Sequence, residues 1–162
     1  MTAGIKASED GLFGTLQVGG VDIATFNSTG NLLVGSATNP AGTGRIATTG
    51  GIIARTNTLT TITSPWAWSS ASYDQQAFTA LGNALTINAD AGTPLDGQKT
   101  IFRIKDNGTA RALTWTTSGS KAFRVIGATL PTTTVASKTV YVGCVYNSAD
   151  AFWDVVAVAQ QV

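Results

Sequence analysis

Hydrophobic and polar residues alternate most clearly in Gly97–Trp115, GQKTIFRIKDNGTARALTW. Phe102 and Ile104 fall on one side of an extended chain, Arg103 and Lys105 on the other, which is the period-2 pattern of a strand with one buried face. Asp106-Asn107-Gly108 tolerates positive φ, and beyond it Leu113 and Trp115 share a face, so the stretch predicts a hairpin. Lys138–Tyr146 repeats the pattern, with Val140, Val142, Cys144 and Tyr146 on one face. Asn147–Ala151 connects it to Phe152–Ala159, where Trp153, Val155 and Ala157 alternate with Asp154, Val156 and Val158, a second predicted hairpin. Leu85–Asn88 and Phe123–Ile126 read as short strands. Ser69–Asn83 places Tyr73, Ala77 and Leu81 at helical spacing but ends in Gly82-Asn83, and it reads as a strand and turn. Asp90–Gly97, Ser118–Ser120 and Leu130–Ser137 read as turns and loops.

The front of the chain is thinner. Met1–Asp10 reads as a small polar tail. Gly11–Val34 carries three apolar groups separated by Gly19-Gly20 and by Asn27–Gly30, which predicts three short strands. Gly35–Gly51 reads as a long loop or hinge and Ile52–Thr63 as an extended strand. Eleven of the 18 glycines lie in the first 64 residues. Such a segment buries too little apolar surface to offset its ordering entropy alone, so it is expected to gain order from other chains. Gly50-Gly51 and Ser64-Pro65 are the candidate boundaries. The expected organisation is an extended, Gly-rich β arm over residues 1–64 and an antiparallel sandwich or jelly-roll-like domain over 65–162. The fold class is all-β.

Composition sharpens this picture. Charged residues are 12% of the 162, against about 25% in an ordinary soluble domain. A surface so poor in charge is expected to be covered in part by other subunits. The net charge of +1 predicts no strong attraction to nucleic acid or to an anionic membrane. The absence of histidine removes the commonest general base and metal ligand. A single cysteine, Cys144, forms no internal disulfide and reads as a small buried hydrophobe. The N-terminus carries no basic-then-apolar signal, and no apolar run reaches ~18 residues.

Candidate chemistry is sparse. A glycosidase-type carboxylate pair would come from Asp74, Asp90, Asp96, Asp106, Asp150 and Asp154, most of which sit in turn-like sequence where Asp supports the backbone. Ser137-Lys138 points its two side chains to opposite faces. Gly42–Arg45 lacks the GK[ST] ending of a phosphate loop, and Asp106–Gly108 lacks the closing Glu of a calcium loop. Arg103, Lys105, Arg111, Lys121 and Arg124 form a basic group near Trp115 that suits single-stranded nucleic acid or, more simply, keeps one sheet face soluble. Trp66 and Trp68 share a strand face and read as core or interface aromatics, or as a sugar platform. No catalytic, cofactor-binding or metal-ligating set is expected.

GTPLDGQKTIFRIKDNGTARALTW at Gly92–Trp115, followed by LPTTTVASKTVYVGCVYNSADAFWDVVAVAQ at Leu130–Gln160, resembles a β module that recurs in structural proteins of tailed bacteriophages. The resemblance covers about residues 73–161. It implies a trimer at the end of a tail-fibre, head-fibre or head-decoration protein, with no enzymatic activity and no catalytic residues to carry over. The chain begins at Met1 with some sixty residues before the module, too few for a fibre shaft. The expectation is therefore a capsid cement or decoration protein, made in the host bacterial cytoplasm and held on the virion's capsid surface. It would bind the major capsid protein as a homotrimer, with Phe13, Leu16, Val18, Ile23 and Phe26 contacting coat or sister chains. The alternative is a short tail-fibre tip that recognises host glycans.

Overall fold

The computed structural model describes residues 54–162 and, before them, four strands: β1 (Gly4–Ala7), β2 (Gly14–Val18), β3 (Val21–Phe26) and β4 (Leu32–Val34). The chain divides into two compact units, Met1–Ile52 and Ile53–Val162. The first contains an antiparallel sheet in the order β1-β2-β3-β4. Its last three strands match the three apolar groups. β1 corrects the reading of residues 1–10 as a tail: Ile5 pairs with Leu16 and Lys6 with Thr15, so backbone pairing orders a stretch whose composition gave no strand signal. The expected loop at Gly35–Gly51 lies outside the described residues.

The second unit is all-β, with no helix among the described residues. Its strands are β5 (Thr56–Leu59), β6 (Gln75–Leu81), β7 (Leu85–Ile87), β8 (Lys99–Asp106), β9 (Leu113–Trp115), β10 (Ala122–Val125), β11 (Thr139–Asn147) and β12 (Phe152–Gln160). Six form one sheet in the order β10-β12-β11-β8-β6-β5, and β7 pairs with β9 in a second, smaller sheet. The expected wholly antiparallel pairing is corrected, because the large sheet is mixed. β5, β6 and β8 run parallel to one another, as do β7 and β9, with Trp66 bridging to Ile87 in the same sense. The chain thus passes from large sheet to small sheet three times, in solenoid-like stacking. β11 then closes on β8 antiparallel, and β12 on β11.

This topology also corrects the hairpin expected at Gly97–Trp115. The turn at Asp106–Gly108 forms, with Gly108 at φ 99°. Its second arm, however, does not return along β8. β9 crosses to the small sheet and pairs with β7, while the partner beside β8 is β11. A turn signal specifies that the chain bends, not which strand it meets next. β5, expected within the front segment, pairs with β6 in the second unit.

The core lies between the two sheets. Alternation in β8 buries Thr100, Phe102, Ile104 and Asp106, and alternation in β11 buries Val140, Val142, Cys144 and Tyr146. Trp153, Val155, Phe123 and Phe78 complete the large-sheet side, with Leu85, Ile87, Leu113 and Trp115 opposite. Phe102 is the hub: Trp68, Trp115 and Phe123 meet its ring at centroid distances of 5.0, 5.4 and 5.5 Å, all near edge-on. Edge-on contact sets ring hydrogens against π faces, the favourable quadrupole arrangement. The buried indoles also find acceptors, Trp68 Nε1 donating to the Asn88 carbonyl and Trp115 Nε1 to that of Pro131. In β12 the pattern breaks. A bulge lets Gly143 face Ala157 while Cys144 faces Val155, so Val156 is the extra residue. Val158, not Ala157, then packs on the core, correcting the expected face.

Candidate binding surface

The carboxylates come first, because they were the candidate chemistry. The six fall into five arrangements, Asp150 and Asp154 sharing one, and each is held by hydrogen bonds or ion pairs. Asp74 pairs with Arg55 at 2.8 Å. Asp96 accepts from the Ser148 amide and hydroxyl. Asp150 and Asp154 both bind Arg124, at 2.8 and 2.7 Å, and this double pairing raises the guanidinium's already high pKa. Asp90 and Asp106 are buried. Asp90 accepts from the Ser70 amide and hydroxyl, the Gly92 amide and Trp153 Nε1. Asp106 accepts from the Gly108 and Ser137 amides and the Thr134 hydroxyl. Burial pushes the Asp106 carboxyl up, but the Thr134 hydroxyl, the two amides and the Arg111 charge outweigh it and hold the group below the usual carboxylate range. These acids brace loops.

Trp66 and Trp68 are not an exposed platform. Trp68 is buried, and Trp66 sets its ring edge-on to Phe78 at 4.8 Å. Cys144 is buried as expected, and desolvation, aided by the Asp154 charge, pushes its thiol up to about 12. Of the expected contact residues, Leu16 and Val18 lie on β2, and Ile23 and Phe26 on β3. The strands pair with Leu16 opposite Ala24 and Val18 opposite Val21, while Phe26 faces Leu32 of β4. Phe13 lies outside the described residues.

The expected basic group is dispersed. Arg124 is committed to two aspartates, Lys121 Nζ donates to the Gly92 carbonyl, and Arg111 donates to Asn107. Arg103 and Lys105 stay together, on the outer face of the large sheet, and neither makes a hydrogen bond or ion pair with another described residue. With Phe78, Thr79, Thr139 and Tyr141 they line an open trough of about 380 Å³. Its shape has a local cause. β6 and β8 are in register at Phe78–Ile104 and again at Leu81–Asp106, so β6 carries an extra residue at Thr79-Ala80 and bulges away beside Lys105. Across β8, Tyr141 stands opposite Arg103 and Thr139 opposite Lys105. Tyr141 is 44% exposed. Alternation in the sequence showed that Arg103 and Lys105 share a face. Tyr141 was missed, because only the β8–β11 register brings it there.

A second surface adjoins the first. Ile101, Gly143 and Ala157 lie side by side across β8, β11 and β12. Beyond them are Val156 on the bulge and Ile126 just past β10, each about half exposed, while Val125 stands opposite the buried Val155 and so lies on the core-facing side at the edge of the sheet.

Comparison with protein-family models, with curated proteins and with solved structures finds no match.

Proposed function

We propose that this protein is a structural component of a bacteriophage virion, a decoration protein that binds the outer capsid as a homotrimer and stabilises the shell non-covalently. The observation that carries the reading is the apolar strip of Ile101, Ala157 and Val156 on the outer face of the large sheet, in a chain with only 12% charged residues. Clustered exposed aliphatics, in a chain this poor in charge as a whole, suit contact with another protein chain. The likeness of Gly92–Trp115 and Leu130–Gln160 to the phage β module supports the same role. In this reading the second unit, a sandwich-like two-layer body, is the outward knob, and the strip packs sister subunits. The first unit grips the major capsid protein or sister chains through Leu16, Val18, Ile23, Phe26 and Phe13.

Purified particles decide the matter. Quantitative gels should give hundreds of copies per virion, and particles lacking the protein should burst more readily on heating or osmotic shock while still adsorbing to cells. A handful of copies confined to the tail would overturn the capsid assignment in favour of a fibre tip. Ile101→Glu combined with Val156→Glu should dissociate the trimer in sedimentation analysis without unfolding the chain, and an unaltered oligomer would remove the strip from the interface.

A further inference from the structure

We infer that the trough over β8 binds a carboxylate-bearing sugar unit. Eight residues of the span 54–162 are Lys or Arg, and five of them donate a side-chain hydrogen bond: Arg55, Arg111, Lys121, Arg124 and Lys138. The three that donate none, Lys99, Arg103 and Lys105, all project from the outer face of β8. Two of these three line the trough. Arg103 and Lys105 are two residues apart on one strand, so their Cα atoms are roughly 7 Å apart. That spacing suits one anionic group shared between a planar guanidinium, which takes carboxylate in a bidentate fashion, and an ammonium point charge.

The rest of the lining narrows the ligand. Tyr141 offers a half-exposed ring directly across from Arg103, a flat apolar surface with a hydroxyl at its rim. Thr79 and Thr139 flank the cations with further hydroxyls, one on the β6 bulge and one on β11. A ligand that places an anion on the cations, a compact ring face on Tyr141 and hydroxyls on both walls is an acidic saccharide. An extended acidic peptide is disfavoured by position: the trough lies on a sheet face whose backbone groups are already paired with β6 and β11, so no strand can be added there. Nucleic acid is disfavoured by number, since two cations release few counterions. The inference concerns only the second unit, and it stands whether or not the protein coats a capsid.

The test is titration of the full-length protein with glucuronic acid and 3′-sialyllactose, with glucose and lactose as neutral controls, followed by isotope-edited NMR. The acidic sugars should saturate shifts of the Arg103, Lys105 and Tyr141 signals, and the neutral ones should bind at least tenfold more weakly. Arg103→Gln and Tyr141→Ala should each weaken the acidic sugars tenfold or more, while Lys121→Gln, beside the edge strand β10 and three strands away from β8, should not. Folding of each variant is checked by tryptophan fluorescence. Equal response to neutral and acidic sugars, shifts that map elsewhere, or no saturation by 20 mM would overturn the assignment. So would tighter binding of oligo-dT or of an oligo-glutamate peptide at the same residues. Because the assay needs no virus particle, its failure leaves the capsid reading untouched, and the particle experiments leave this one untouched.

Discussion

Replacing Asp106 tests whether buried carboxylates hold the loops of the second unit. Its side chain accepts three hydrogen bonds at 2.9, 2.8 and 2.6 Å, from the Gly108 amide, the Ser137 amide and the Thr134 hydroxyl. Hydrogen bonds to a charged group contribute about 1.5–3 kcal/mol each, so the gross sum is about 5–9 kcal/mol. The net is smaller. Asp106 is covered chiefly by the segment that carries Thr134 and Ser137, and in Asp106→Ala water can reach the released amides. We expect a loss of about 3–4 kcal/mol, a large share of the ~5–15 kcal/mol available to a typical domain. Asp106→Asn keeps one carbonyl oxygen for the two amides, and its amide nitrogen can donate to Thr134 Oγ, which already accepts from the Arg111 amide. The charge is lost and the Thr134 hydroxyl hydrogen is left without its acceptor, so the expected loss is about 2–3 kcal/mol.

Urea unfolding followed by tryptophan fluorescence reads this directly, because Trp66, Trp68, Trp115 and Trp153 all lie in the second unit. With a slope near 1.5 kcal/mol per molar, the alanine variant should shift its midpoint by about 2 M at unchanged slope. The pH dependence has a definite sign. The folded-state pKa of Asp106 is depressed, so its stabilisation is complete above the unfolded value of about 3.9 and disappears as pH falls through the folded one. The gap between wild type and Asp106→Asn should therefore be constant from pH 5 to 8 and close below about pH 4. An alanine cost under about 1 kcal/mol, or a gap that does not narrow as pH falls below about 4, would refute the argument.

Three further outcomes follow from local geometry. A Cβ on Gly92 would lie 2.8 Å from Ser69 Oγ, 2.9 Å from Ser70 Oγ and 3.0 Å from the Ala71 amide nitrogen. Ser70 Oγ is fixed by Asp90, so Gly92→Ala should cost about 1–3 kcal/mol in the same unfolding assay. Ala151 sits at φ 57° at the end of the β11–β12 turn, where glycine has no steric penalty, and Ala151→Gly should raise the midpoint by up to about 1 kcal/mol equivalent. Cys144, buried and with its thiol pushed up to about 12, should not react with a thiol-specific disulfide reagent in the native protein at pH 8 and should react fully in 6 M guanidinium.

What could be read from the residues was whatever depends on near neighbours. Alternation located β8 and β11 because each buries one face, and it put Arg103 and Lys105 on the other face of β8. The β11–β12 hairpin was legible because Asn147–Ala151 is short. What could not be read depends on distant pairing. The Val156 bulge reverses the facing of Ala157 and Val158 with no local sign in an all-aliphatic run. Asp90 and Asp106 read as ordinary turn residues, and each does accept an amide two positions on. Their burial comes from partners 20 to 63 residues away along the chain, which no turn signal encodes.

Those two aspartates also explain why, among the described residues, no loop bracing falls to the outer face of the sheet. Each is a loop clamp of the same kind: its own downstream amide, a distant backbone amide and a distant hydroxyl converge on one carboxylate. Asp90 gathers the Ser70 segment and the Trp153 indole, and Asp106 gathers Thr134 and Ser137. Arg55 and Arg124 similarly tie exposed segments through ion pairs. With loop bracing done on the inner side and around the rim, the outer face of β8 has no structural task that requires charge. In a chain where charge is half as frequent as usual, three cations on one strand that pair with no described residue go beyond what solubility requires, since uncharged Thr and Ser serve that purpose elsewhere. Their concentration beside Tyr141, where β6 has swung aside, is better accounted for by an anion that is brought to them.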